Sequence, residues 1–220
     1  MITLAEKLLL GIRAGAGAES KPYVEFVSST AMTITPKYTN SGVTLQYSLN
    51  KTTWTTIETG VATPSANVIY FRGQATGTKS LFTSSAASNA WTFSSATNLE
   101  CNGKLDRLLQ NAIGSDNDVL TIGDYCYASM FQGCTSLTTA PALPATTLAG
   151  YCYYYMFYGC TKIKLSTTLT GIYDKVYRIP TAGTGTTATN ALLDMFTSTG
   201  GTFTGTPNIN TTYYTENTPV

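Results

Sequence analysis

The stretch "DYCYASMFQGCTSLTTAPALP" (residues 124–144) is followed by "GYCYYYMFYGCTKIKLSTTLT" (residues 150–170), which repeats its skeleton. Tyr-Cys-Tyr, Met-Phe and Gly-Cys-Thr return in the same order, one period later. A third, decayed copy, "LDMFTSTGGTFTGTP" (residues 193–207), keeps Met195 and Phe196. The period lies within the roughly 20–29 residues of leucine-rich solenoids, so the repeat predicts stacked coils.

Stacking determines which side chains of the repeat are buried. A single coil cannot bury its own apolar face, so equivalent positions of neighbouring coils pack into one continuous core. "YCYASMF" and "YCYYYMF" are predicted to form a helical turn, and "LTTAPAL" and "IKLSTTL" an extended segment. The side chains predicted to point inward from the first coil are Met130, Phe131, Leu137, Leu143 and Leu148.

The repeat also resembles a known family. "MFQGCTSLTTAPALPATTL" and "MFYGCTKI" are similar to the BspA-like leucine-rich repeats of bacterial surface proteins, in the MF-x-GC-T-S-L variant found in gut bacteria and their bacteriophages. The resemblance covers residues 120–170. It implies a short solenoid and a role at a surface, although the second copy lacks the "APALP" segment.

Short alternating runs precede the repeat. Seven segments between residues 22 and 99, among them "YVEFVSS", "AMTITPKY", "SLFTSS" and "AWTFSS", have strand length and end at turn-forming residues. This spacing favours a small β-sandwich, and the segment resembles immunoglobulin-like modules. The predicted fold is mostly β: an N-terminal immunoglobulin-like β-sandwich (22–99) followed by a short leucine-rich-repeat-like solenoid (100–220) with a decayed C-terminal coil.

Residues 1–21 are predicted to be an anchor helix and linker. Thr3 and Glu6 have the spacing of a capping box, and "AGAGAES" is typical of a flexible linker. The apolar run is too short for a secretory signal, and it follows the charged residues Glu6 and Lys7. The apolar side chains assigned to the anchor are Leu4, Leu8, Leu9 and Ile12.

Composition argues against several classes of function. Only 11% of the residues are charged and the net charge is +1, so no basic field exists to bind nucleic acid. No apolar stretch is long enough to span a membrane. The chain has no histidine, which removes the commonest general base and all histidine-containing metal sites. We therefore expect a protein that is not an enzyme and that uses no cofactor.

Two groups of side chains were considered as metal ligands. Asp116, Asp118 and Asp124 suggest calcium, but the loop lacks the glycine and closing glutamate of an EF-hand, and a polar turn is the preferred interpretation. The five cysteines include two pairs that stack in register, which could form disulfides or bind metal. Reduced, buried thiols are preferred because the chain contains no C-x-x-C.

The tyrosines of the second copy are the candidate binding residues. A turn cannot bury all of them, and tyrosine suits both sugar stacking and protein interfaces. The alternative is that they only shield the coils from water. The candidate contacts are Tyr153, Tyr154, Tyr155 and Tyr158, of which Tyr154 and Tyr155 are adjacent and cannot both point into one core.

These observations predict a non-enzymatic bacteriophage virion protein, a capsid decoration or fibre subunit that displays a host- or surface-binding domain. Other virion proteins would bind the N-terminal helix, the chain would form homo-oligomers, and the displayed domain would bind a cell-surface glycan or protein. Assembly in the host cytoplasm needs no export signal. The alternative is a bacterial cell-surface adhesin with leucine-rich repeats, which must be exported.

Overall fold

The computed structural model describes residues 21–177, 188–209 and 211–217. The predicted anchor residues Leu4, Leu8, Leu9 and Ile12 lie outside these ranges. The described chain is mostly β, as predicted, and has two mixed sheets. None of its helices has the length and apolar character needed to cross a membrane.

The larger sheet contains seven strands. They are β1 (Val24–Thr35), β2 (Val43–Ser48), β3 (Thr55–Ile57), β4 (Ala66–Ala75), β5 (Thr92–Ser94), β6 (Leu99–Asn102) and β7 (Leu137–Thr139). The order is β3-β2-β4-β1-β6-β7, and β5 pairs with the far end of β1. All pairs are antiparallel except β6 with β7, which are parallel.

Alternating side chains explain these strands. Along β2, Val43 and Leu45 are buried while Thr44 and Gln46 are not. Two of the predicted strands, "YVEFVSS" and "AMTITPKY", are a single long β1, whose register with β4 shifts between Val27 and Met32. Such a bulge lets one strand bend between two partners.

The predicted strand "SLFTSS" is wrong. Leu81 and Phe82 are buried, but the segment takes no strand conformation. The Ser80 hydroxyl bonds to the carbonyl oxygens of Phe82 and Asp124, and the Leu81 amide donates to Cys126. One local bond and two bonds to the start of the repeat therefore satisfy these groups without a ladder partner. A 3₁₀ helix follows at Ala87–Asn89, and a second lies at Leu105–Leu108.

The smaller sheet closes the C-terminal side. It contains β8 (Lys164–Ser166), β9 (Lys175–Tyr177), β10 (Gly200–Gly201) and β11 (Tyr213–Thr215), in the order β10-β8-β11-β9. Gly201 has a φ of 89°, and a Cβ at this position would collide with the Leu165 backbone. Glycine is therefore required where β10 pairs with β8.

Three runs of hydrogen-bonded turns replace the predicted helical turn. We name them turn layers 1, 2 and 3, which are residues 125–134, 151–160 and 190–199. In each layer every fourth residue has a positive φ, at 125, 129 and 133, at 151, 155 and 159, and at 190, 194 and 198. An α-helix cannot include such residues, because their backbone is left-handed. The helical prediction is therefore wrong.

The layers stack through their backbones. In layer 1 the amides of Tyr127, Ser129 and Phe131 donate to carbonyl oxygens of layer 2 at 2.7, 2.8 and 3.0 Å. In layer 2 the amides of Tyr153, Tyr155 and Phe157 donate to layer 3 at 2.9, 3.1 and 2.9 Å. The residues between them bond back within their own layer, for example Met130 to Tyr127 at 3.1 Å. These backbone amides and carbonyl groups thus form hydrogen bonds without a helix or a strand.

One column of phenylalanine rings runs through this stack. Phe131 lies 5.5 Å from Phe157 and Phe157 lies 5.3 Å from Phe196, with interplanar angles of 14° and 22°. Phe93 of β5 extends the column, 5.7 Å from Phe131. All five side chains predicted to point inward from the first coil are buried, which confirms that set: Met130, Phe131, Leu137, Leu143 and Leu148.

The sheet and the turn layers share one hydrophobic core. The carbonyl oxygens of Cys126 and Met130 accept from the amides of Leu81 and Trp91, so residues 81–91 cover layer 1. The predicted boundary between residues 99 and 100 falls inside β6, which pairs with both β1 and β7. The division into domains stays a prediction about which segments fold alone.

Candidate functional site

Five tyrosines form a continuous row along the outer side of layers 1 and 2. Tyr125 stacks on Tyr151 at 5.3 Å, and Tyr151 meets Tyr154 edge-on at 5.5 Å. Tyr154 stacks on Tyr155 at 4.1 Å, and Tyr155 on Tyr158 at 4.9 Å. All five are half-buried. We call this set, Tyr125, Tyr151, Tyr154, Tyr155 and Tyr158, the tyrosine row.

Tyr153 is the member of the predicted binding set that lies elsewhere. It is fully buried and stacks on Tyr127 at 5.7 Å inside the core. Its ring is therefore closed to a partner. The sequence favoured Tyr154 and Tyr155 but kept Tyr153 in the set, whereas the turns direct Tyr153 inward and its neighbours Tyr154 and Tyr155 outward. Tyr151 belonged to the candidate tyrosines of the second copy but not to the four predicted contacts. Tyr125 was missed, although its match to Tyr151 in the two copies was the signal that could have found it.

Three tyrosines of the row occupy strained backbone. Tyr125, Tyr151 and Tyr155 have φ values of 57°, 56° and 54°, in the left-handed region that bulky residues avoid. The positions equivalent to Tyr155 in layers 1 and 3 are Ser129 and Asp194, small polar residues. Strain of this kind costs on the order of 1–3 kcal/mol per residue and concentrates at functional sites. The row thus keeps tyrosine where a smaller residue would suit the fold better.

One carboxylate lies beside the row. The Tyr154 hydroxyl, and secondarily the Asp194 carboxylate, raise the pKa of Tyr155 to about 12. Asp194 is itself held in place, because its amide donates to Thr206 and its carboxylate accepts from Thr197, both at 2.8 Å. Aligning Met195 and Phe196 with Met156 and Phe157 puts Asp194 level with Tyr155, a signal that the sequence contained.

The stacking of the row decides what it can bind. A face-to-face spacing of 4.1 Å between Tyr154 and Tyr155 leaves no room for a sugar ring between them. Tyr155 is covered on both sides, since Tyr158 stacks on it as well. The row therefore presents ring edges and hydroxyls, which recognise a partner by hydrogen bonds and shape.

The aspartates considered for calcium do not converge. Asp118 accepts from Lys104 at 2.7 Å and from Arg107 at 3.2 Å. Asp124 accepts from the Gly150 amide at 2.8 Å, which joins layers 1 and 2. Over residues 21–177, 188–209 and 211–217, no three acidic or thiol side chains group as metal ligands.

The five cysteines are free thiols. Cys101, Cys126, Cys152 and Cys160 are buried, and Cys134 is half-buried. Burial raises the pKa of Cys152 to about 12 and raises the pKa of Cys126 and Cys160 well above the ordinary value. Thiols in this state are poor nucleophiles and poor metal ligands, so they act here as small apolar groups.

A cleft of about 680 Å³ lies between residues 77–79 and 110–123, on the loops that follow β4 and the second 3₁₀ helix. Its Lys79 ammonium donates to the carbonyl oxygens of Ala75 and Gln110, and its Asp118 is paired as above. Burial lowers the pKa of Lys79. Both charged groups thus serve the fold, and the cleft holds no base poised next to a nucleophile.

Comparison with known proteins gives no relative, since no family model, curated protein or solved structure matches the chain significantly.

Proposed function

We propose that this chain is a non-enzymatic display protein of a bacteriophage virion, a capsid decoration or fibre subunit, whose tyrosine row binds a host-cell or other surface. The observation that carries the proposal is the row itself. It combines tyrosine on left-handed backbone at positions 125, 151 and 155, continuous ring stacking and partial exposure. A structural cover would not need tyrosine at position 155, because the small polar residues Ser129 and Asp194 occupy the equivalent left-handed positions of the neighbouring layers.

The finer architecture belongs to the same proposal. Residues 22–99 would be an immunoglobulin-like β-sandwich, supported by the antiparallel neighbours β3, β2, β4 and β1. Residues 100–220 would be a short leucine-rich-repeat-like solenoid, supported by the hydrogen bonds between turn layers and by the phenylalanine column. A rigid stack of this kind holds surface side chains in fixed positions, which limits the entropy lost on binding.

The partner is proposed to be a cell-surface glycan or protein recognised through hydrogen bonds. Tyrosine hydroxyls and the Asp194 carboxylate offer both donors and acceptors along the row. Among the causes of the raised pKa of Tyr155, Asp194 is the charged side chain. Binding should therefore depend weakly on salt, because long-range charge attraction contributes little.

Replacing Tyr155 with asparagine is expected to reduce binding to host cells at least tenfold while the fold remains intact. Asparagine tolerates a left-handed backbone, so relief of strain should offset the lost ring stacking. The free energy of unfolding should change by less than about 1 kcal/mol. Binding of fluorescent protein to whole cells, measured from low to moderate salt, checks the first part, and denaturant unfolding checks the second.

Tyr154→Ala provides the second variant, and Tyr173→Ala, outside the row, provides the control. Unchanged binding in both row variants would show that the tyrosine row only shields the turn layers from water. Binding that disappears at moderate salt in the wild type would show that charge carries it.

Deleting residues 1–20 is expected to abolish association with particles or self-assembly and to leave the melting temperature nearly unchanged. The cut preserves Lys21, whose carbonyl oxygen accepts from Arg107 Nε at 2.9 Å. Leu4, Leu8, Leu9 and Ile12 are too few to build a core, and a helix of this length is marginal alone in water. Light scattering and co-sedimentation with particles measure the first effect, and calorimetry measures the second.

Normal assembly of the truncated chain would remove the anchor from the proposal. The same repeats would also suit a bacterial cell-surface adhesin, because their resemblance is to bacterial surface proteins. An adhesin predicts that the native protein is found in a cell-wall fraction and not in purified particles, which immunoblotting of both fractions distinguishes.

A further inference from the structure

A second group of surface side chains lies on the outer face of the larger sheet, far along the chain from the turn layers. Aromatic rings and two cations are interleaved there. Tyr23 lies 5.3 Å from Tyr70 and 6.1 Å from Trp54. The Lys51 ammonium lies 4.9 Å from the centre of the Tyr70 ring, and the Arg72 guanidinium lies 4.0 Å from the centre of the Trp54 ring.

Arg72 is a cation without a counter-ion. Its Nε donates to Gln46 Oε1 at 2.9 Å, and one face of its guanidinium packs on Trp54. Within the described chain no carboxylate forms an ion pair with it. Partial burial lowers the pKa of Arg72, so the charged form is incompletely solvated. An anion bound to its free N–H groups would compensate for that lost solvation.

Lys51 adds a second positive charge to the same group of rings. Its contact with Glu25 is long, 3.9 Å, and its side chain is about half exposed. The turn that carries Lys51 is strained, with a φ of 66°. The Ser48 hydroxyl accepts from the Lys51 amide at 2.9 Å, and Asn50 Oδ1 accepts from the Thr53 amide at 2.8 Å. These hydrogen bonds hold Lys51 in the turn between β2 and β3, next to the aromatic rings.

Trp54 is fixed in the same turn. Its indole N–H donates to the Lys51 carbonyl oxygen at 3.1 Å, so the ring cannot rotate freely. The indole remains half-buried and offers apolar surface next to the guanidinium. A ligand that suits this arrangement carries a negative charge attached to a compact body with an apolar face.

We propose that Arg72, Lys51, Trp54 and Tyr23 form a binding site for a carboxylate-bearing sugar of an acidic polysaccharide. The carboxylate binds the free N–H groups of Arg72, with Lys51 as the second cation. The C–H face of the sugar packs on the aromatic surface of Trp54 and Tyr23. This site is independent of the tyrosine row and does not rest on the function proposed for it.

Tryptophan fluorescence reports on this site directly. The chain has two tryptophans, and Trp91 is buried in the core, so a ligand at the surface acts on Trp54. Titration of the full-length protein with oligogalacturonate should change the emission saturably, and raising the salt from 50 to 300 mM, on the order of a twofold shorter Debye length, should weaken binding. A neutral maltooligosaccharide of equal length should bind at least tenfold more weakly.

Variants separate the site from general charge attraction. Arg72→Gln should weaken oligogalacturonate binding at least tenfold, and Lys51→Gln should weaken it severalfold with the fold undisturbed, since Lys51 is exposed. Lys162→Gln removes an exposed cation elsewhere and should leave binding unchanged. Tyr155→Asn should also leave it unchanged, which keeps this result separate from the test of the tyrosine row.

Three results would overturn the proposal. The first is the absence of any saturable change with oligogalacturonate. The second is that Lys51→Gln and Arg72→Gln both bind oligogalacturonate with the affinity of the wild-type protein. The third is equal or tighter binding of poly-glutamate, which would identify the site as one for acidic peptides.

Discussion

Replacing Phe157 with alanine is expected to lower the free energy of unfolding by about 3–5 kcal/mol. Phe157 is fully buried and lies between Phe131 and Phe196, with ring centres 5.5 and 5.3 Å away. The neighbouring backbones are joined by hydrogen bonds on both sides, including Phe157 to Met195 at 2.9 Å. The layers therefore cannot collapse into the cavity, which keeps the cost near the upper part of the range for large-to-small substitutions.

Denaturant unfolding of Phe157→Ala and of Thr167→Ala measures this effect. Thr167 is exposed, so its replacement should cost less than about 0.5 kcal/mol. A loss in Phe157→Ala no greater than in Thr167→Ala would show that the layers do not pack as described.

Replacing Arg107 with methionine is expected to cost a similar amount, about 3–5 kcal/mol. Arg107 is fully buried and lies within the second 3₁₀ helix, Leu105–Leu108. Its guanidinium donates to both carboxylate oxygens of Asp106 at 3.0 and 3.1 Å and to the Asn117 carbonyl oxygen at 3.0 Å. Methionine fills much of the volume but leaves Asp106 buried without its cation.

The loss should depend on pH. Burial raises the pKa of Asp106 from 3.8 to about 6, and the Val119 amide and Arg107 hold it from rising further. A carboxyl group whose pKa is higher in the folded state than in the unfolded state stabilises the fold fully at a pH below the unfolded-state pKa. This stabilisation is lost as the pH rises through the folded-state pKa. Without Arg107 the folded-state pKa rises above 6. Arg107→Met should therefore be more destabilised at pH 8 than at pH 5.

Lys104→Met is the matched control, since Lys104 pairs with Asp118 of the same cluster but is 40% exposed. Exposed ion pairs contribute at most about 1 kcal/mol, so this variant should remain close to wild type at both pH values. A deficit for Arg107→Met that is below about 1 kcal/mol, or that is equal at pH 5 and pH 8, would contradict the account of the cluster.

The repeat predicted the stacking but not the backbone that performs it. Phe131 and Phe157 occupy equivalent positions of the repeat, and their rings stack in the structure. This could be predicted because the spacing of apolar residues along the sequence determines both the repeat length and the buried side chains. The left-handed positions at Tyr151 and Tyr155 could not be predicted, since tyrosine has no preference for that conformation. Tertiary hydrogen bonds between layers impose it, and such bonds leave no local signal.

The candidate sites could also be predicted only in part. Tyr154 and Tyr155 were the preferred contacts because adjacent side chains cannot both point into one core, and both lie in the row. Tyr153 could not be separated from them without the direction of each turn. The group around Arg72 had no sequence signal at all. Residues 23, 51, 54 and 72 meet only because β1, β2, β3 and β4 form one sheet.

Native-state hydrogen exchange tests the central claim that the sheet and the turn layers form one stacked, cooperative structure. The amides of Tyr127, Ser129 and Phe131 donate to layer 2, and those of Tyr153 and Tyr155 donate to layer 3. We predict that these amides exchange with the same opening free energy as the amides of β1 and β4, because one core connects them. Exchange of the turn-layer amides at rates typical of exposed loops, while β1 and β4 stay protected, would contradict the account.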